Sequence, residues 1–181
     1  EMRPGDWSSD VCSSDLKIQT FNICKLGKKS HRGYWFTEKE VREFLESEAW
    51  AKRKADRTAL CSITHRTRRA PKNPSDQKLV GQRDWQLIDQ TTVGTVTDLF
   101  IEDGYWRAKV LIFDPNDFKG SDAEKDVAFI NGLINSGVKP RTSAGIEAYY
   151  NNVNKHADKI YDFVGIDVTQ SPDFGTDSGM I

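Results

Sequence analysis

Apolar positions along this 181-residue chain change period several times, and each change marks an element. Lys17 to Ile23 alternates loosely between apolar and polar residues, which predicts a short strand. The stretch from Gly27 to Gly33 is polar and loop-like. Thr37-Glu38-Lys39-Glu40 then has the form of a capping box, with Thr37 as N-cap and Glu40 returning to its amide. Val41, Phe44, Leu45 and Ala49 follow at helical spacing, so a helix is expected to run to about Lys54. The β-rich run Thr58 to Thr64 ends at His65. Beyond it, Arg66 to Pro74 holds two prolines among four cations and reads as a loop.

Thr92 to Ile101 and Tyr105 to Phe113 form two strand patterns joined by Glu102-Asp103-Gly104, a hairpin signal. From Asp122 to Ser136, Val127, Ile130, Leu133 and Ile134 line one helical face, and Gly137 is placed to cap its C-terminus. That face should pack on the sheet. Thr142 to Tyr150 and Lys159 to Val168 make a second strand pair across a polar turn, and Pro172 closes the strand region. Together these predict one α+β domain, in which mainly antiparallel strands close into a barrel-like sheet with two helices outside.

Composition supports a globular domain: 37% of residues are hydrophobic and 29% charged. No apolar stretch approaches the roughly 20 residues that span a bilayer. Cys12, Cys24 and Cys61 stand at unrelated spacings, which points to neither a disulfide framework nor a metal site and suggests a reducing, intracellular setting. Residues 1–16 stand apart. Asp6 to Leu16 has no apolar period and lacks the basic-then-apolar order of a signal peptide. It matches the conceptual translation of a sequencing-library adapter, so residues 1–16 are expected to be a non-native or disordered tail and 17–181 the domain, with the natural N-terminus missing. Without that tail the net charge moves from −1 to +2, which implies no wholesale polyanion binding.

Three histidines can carry acid–base chemistry. His31 lies in a polar loop beside Lys29 and Arg32, and His156 in the turn between two strands; both read as solvated loop residues. His65 falls where an apolar strand meets a long loop, so it can be held by the sheet and still face a cleft. Taken alone it reads better as a structural histidine. Ser143 opens Thr142-Ser143-Ala144-Gly145, where small neighbours let a substrate backbone approach and leave amides for an oxyanion. Taken alone it reads better as a close-packed strand start. It does not stand in a Gly-x-Ser-x-Gly elbow, which disfavours an α/β-hydrolase. Arg66, Arg68, Arg69 and Lys72 lack interleaved aromatics and read as a solvated face, which makes a nucleic-acid partner the weakest reading.

Four blocks occur in one order: Cys61-Ser62-Ile63-Thr64-His65; the hairpin Val93 to Ile101 with Ala108 to Asp114; Ile134-Asn135-Ser136-Gly137-Val138-Lys139 leading into Thr142-Ser143-Ala144-Gly145; and Val164-Gly165-Ile166-Asp167-Val168-Thr169-Gln170-Ser171-Pro172. Over residues 17–181 they resemble the prohead (core) proteases of tailed phages, relatives of the herpesvirus assemblin-type serine proteases. The resemblance implies that His65 and Ser143 are the catalytic pair. The third member stays open among Asp167, Glu147 and His156, with Asp167 favoured. It further implies a serine endopeptidase that cleaves scaffold or core proteins and the major capsid protein precursor. It would act inside an assembling prohead in the host cytoplasm, without cofactor, metal or membrane, and a homodimer is left open. The alternative is a catalytically silent phage structural or scaffold-associated protein of the same fold.

Overall fold

The strand-forming runs assemble into one curled sheet in the computed structural model, which describes residues 17–63 and 91–181. The tail at 1–16, His65 and the cations at 66–72 lie outside the described residues. Among those described, the strands are β1 (Ile18–Lys25), β2 (Leu60–Ser62), β3 (Thr92–Glu102), β4 (Tyr105–Ile112), β5 (Thr142–Tyr150), β6 (Ala157–Val168) and β7 (Gly179–Met180). The helices are α1 (Glu38–Leu45), α2 (Glu48–Asp56) and α3 (Glu124–Asn135).

The sheet order is β5-β6-β2-β3-β4-β1-β7. It is mixed, because β2 runs parallel to β6 while the other neighbouring pairs are antiparallel. Among the described residues the barrel-like sheet expected is a curled half-barrel, with β5 and β7 at its two ends. They do approach, and Met180 N–H donates to Pro140 O at 2.8 Å just before β5. Irregular register between β1 and β4, β2 and β3, β3 and β4, and repeatedly between β5 and β6 accounts for the curl, since bulges bend a strand and raise its twist.

Local chemistry explains most boundaries. Asp103 and Gly104 both have positive φ (54° and 78°), the backbone of a tight primed hairpin turn. The Glu40 carboxylate accepts from the N–H and hydroxyl of Thr37, completing the capping box. The single helix expected to Lys54 is instead two. Ser47 breaks it: its hydroxyl donates to Phe44 O (2.6 Å) and accepts from Trp50 N–H (3.3 Å), ending α1 and capping α2. Gly137 ends α3 as a Schellman turn (φ 81°), with Val138 N–H on Leu133 O (2.9 Å) and Gly137 N–H on Ile134 O (3.0 Å).

Trp106 is fully buried between Phe36, Phe44 and Phe163, with ring centroids 5.7 to 6.3 Å away. Helix α2 is tied to β6 by Arg53, whose Nε and Nη2 bond both Asp162 carboxylate oxygens at 2.5 and 2.6 Å. On α3, Val127 and Ile130 are fully buried and Ile134 packs against the core. Leu133, expected on the same stripe, is only half-buried and outside that core, because it turns toward the flank of the helix.

Candidate active site

Ser143 is set by what precedes it. The Schellman turn after α3 reverses the chain, buried Pro140 stiffens it, and β5 begins at Thr142. Ser143 then pairs with Asp167 on β6, and Asp167 pairs on its other side with Ser62, the last residue of β2. Residues directly opposite one another in a sheet share a face. The next residues in register, Ala144, Ile166 and Cys61, all belong to or pack on the core. By alternation, Ser143, Asp167 and Ser62 occupy the opposite face as one row. Strands spaced about 4.8 Å apart put the outer two Cα atoms roughly 10 Å from each other. Asp167 is 2% exposed and Ser62 3%, whereas Ser143 is half-buried.

Gly165 makes this row possible. A Cβ there would lie 2.0 Å from Leu60 O, and φ is +148°, so only glycine lets β6 approach β2 so closely. The proximity has an electrostatic trace. The Cys61 thiol is pushed up to about 12, first by burial and then by the Asp167 charge.

The other two candidates for the third member lie elsewhere. Glu147 is four residues along β5, roughly 13 Å from Ser143. It pairs in register with Asp162 and lines a depression under α2 with Arg53. Burial, and secondarily the Asp162 charge, raise its carboxyl above the usual range. His156 is past the far end of β5, more than roughly 20 Å from Ser143. It is not the solvated turn residue expected from sequence. Its Nε2 lies 2.7 Å from Glu40 Oε1 and its Nδ1 3.1 Å from Asp158 Oδ1, and the ring packs on Trp35. It links the cap of α1 to the β5–β6 turn. His65 itself, three residues after Ser62, lies outside the described residues.

A cleft of about 530 Å³ runs beside β5. Ser143, Ala144, Ile146 and Tyr150 form one wall, and His31, Tyr34, Phe36 and the 170–175 segment contribute to the rest. Tyr34 meets Tyr150 at 4.5 Å and Phe36 meets Phe174 at 6.1 Å, giving the cleft an aromatic lining. Asp173 joins two of its sides, accepting Arg32 N–H on Oδ1 (3.0 Å) and His31 N–H on its carbonyl (2.8 Å). His31 is thus exposed, as expected, yet it borders the same cleft as Ser143, which its polar surroundings in sequence did not signal.

The fold has a solved counterpart. The chain is similar to a structure described as the bacteriophage T4 capsid assembly protease, gp21, with a TM-score of 0.55. The match covers 85% of this chain and 81% of that one at 9% sequence identity. At that identity the likeness is one of fold. No family model and no curated protein matches the chain by sequence.

Proposed function

We propose that the chain is a serine endopeptidase of the prohead-maturation type, with Ser143 as nucleophile, His65 as general base and Asp167 as the group that orients the imidazole. One observation carries this reading: Asp167 stands in register between Ser143 and the end of the strand that leads to His65. Three residues of extended chain reach at most about 11 Å, which is enough to bring an imidazole from the end of β2 to Ser143. The capsid assembly protease of similar fold supports the substrate class: phage scaffold or core proteins and the capsid protein precursor, cut inside the prohead.

In this scheme Ser143 Oγ attacks the scissile carbonyl carbon while an imidazole nitrogen of His65 takes its proton. Asp167 accepts the opposite ring N–H and stabilises the imidazolium that forms. Backbone amides of the Ser143–Gly145 stretch hold the oxyanion. The proton passes to the leaving amine, and water then hydrolyses the acyl-enzyme.

A fluorophosphonate reagent tests the scheme without a known substrate. One adduct should form, mapped by mass spectrometry to Ser143, and His65→Ala should slow it about 100-fold or more. Labelling of a different serine, or an unchanged rate in His65→Ala, rejects the assignment.

A further inference from the structure

The depression under α2 holds about 560 Å³ and, among the described residues, shares no lining residue with the cleft beside Ser143. Its charges do not balance. Among the described residues, Lys52 and Arg53 line it against Asp56, Glu147 and Asp162, which leaves one carboxylate in excess. The pairing shows which one. Arg53 is bonded to Asp162 through Nε and Nη2, and its Nη1 donates to Thr58 O at 3.2 Å. Lys52 Nζ lies 3.5 Å from Asp56 Oδ2. Lys159 of β6 holds its ammonium 4.9 Å from the centroid of the Tyr161 ring. Glu147 is left over. It is half-buried, and it makes no hydrogen bond or close ion pair among the described residues. Its raised carboxyl is the trace of that isolation: burial first, then Asp162, disfavour the charge by more than Arg53 restores it.

The rest of the depression includes Ala49, Leu60 and the Tyr161 ring. Outside it, Tyr149 is 37% exposed and stands edge-on to Tyr161, with ring centroids 4.3 Å apart. We propose that this depression takes a lysine side chain of a partner polypeptide, with the ammonium on Glu147 and the methylenes against Leu60, Ala49 and Tyr161. An apolar stem ending in a charge matches a lining of this kind. The ammonium supplies the missing counter-charge at a half-buried place, where salt screens an ion pair less than on the open surface. One excess carboxylate suits one ammonium rather than the several of a polyamine. Exposed tyrosines are enriched at protein interfaces, and Tyr149 offers the backbone around the lysine a surface to lie on. The site is roughly 13 Å from Ser143 along β5, so a partner held there leaves the cleft open. The proposal does not depend on Ser143 being the nucleophile.

NMR titration of the full chain tests it with three probes: acetyl-Gly-Lys-Gly-amide, the same tripeptide with norleucine for lysine, and butylamine. The lysine peptide should shift the Leu60, Glu147 and Tyr161 amides with a Kd of about 1–10 mM, and the norleucine peptide should bind about tenfold or more weakly. Glu147→Gln should lose the same factor, and Tyr149→Ala should weaken the lysine peptide but not butylamine. With the lysine peptide bound, the Glu147 carboxyl should titrate lower than in the free protein; with the norleucine peptide it should not. Equal binding of the two peptides, undiminished binding by Glu147→Gln, or no shift of these amides at about 50 mM peptide overturns the proposal. Butylamine that binds as tightly as the lysine peptide also overturns it, because the site would then take a free amine and not a polypeptide.

Discussion

Helix α3 delivers the chain to Ser143, and its packing can be measured residue by residue. Ile130 is fully buried, and the neighbouring Asn131 pins the helix by donating to Phe113 O at 2.9 Å. Truncating Ile130 to alanine removes three buried carbons and leaves a cavity that the curled sheet cannot collapse. A cost of about 2–5 kcal/mol follows. At about 2–4 °C per kcal/mol for a chain of this size, the melting temperature should fall by roughly 4–20 °C. Leu133 is half-buried and outside the core, so Leu133→Ala forfeits only part of a leucine transfer energy, about 1.5 kcal/mol or less. Urea unfolding separates the two: both midpoints shift at constant slope, Ile130→Ala by much the more. Equal costs, or an Ile130→Ala variant within about 0.5 kcal/mol of the parent, would refute this placement of α3.

Two further substitutions probe the strands beside the site. Burial, then Asp162, raises the Glu147 carboxyl in the folded protein, so its stabilising contribution is present below its ordinary value of 4.5 and lost as pH rises through the folded one. Glu147→Gln should therefore melt higher than the parent at pH 7, with the gain shrinking on acidification toward pH 4; a lower melting point at pH 7 contradicts this. Gly165→Ala places a methyl against Leu60 O at positive φ and should cost about 3 kcal/mol or more in urea unfolding, with loss of Ser143 labelling. A neutral result would mean that β2 and β6 do not approach so closely.

Elements with a strong local signature were readable in the sequence: the capping box at Thr37, the Asp103-Gly104 hairpin and the Gly137 stop all form where their chemistry placed them. What failed depended on competition or on distance. Ser47 looked like an ordinary helical position until its hydroxyl captured Phe44 O and Trp50 N–H. β7 is only two residues long, and nothing in Gly179-Met180 announces a strand; its partner, β1, lies at the other end of the chain. The parallel β2–β6 pairing depends on one glycine with positive φ, a requirement that shows only when Leu60 is brought against it. The same holds for the site. Ser143 and Asp167 were nameable, but their shared row with Ser62 is a matter of register. The tie between His156 and Glu40 joins residues 116 positions apart and has no local signal.

The central claim is that Ser143 and His65 act as one unit, and a double-mutant comparison tests it most directly. The chain is co-expressed with its cognate scaffold and capsid precursors, and the products are identified by mass. Ser143→Ala and His65→Ala should each abolish cleavage, by up to about a million-fold, and the double variant should be no worse than either. Precursor cleavage that survives in a folded Ser143→Ala protein would contradict the account, and an unmutated chain that cuts neither precursor would make the catalytically silent structural protein the correct reading.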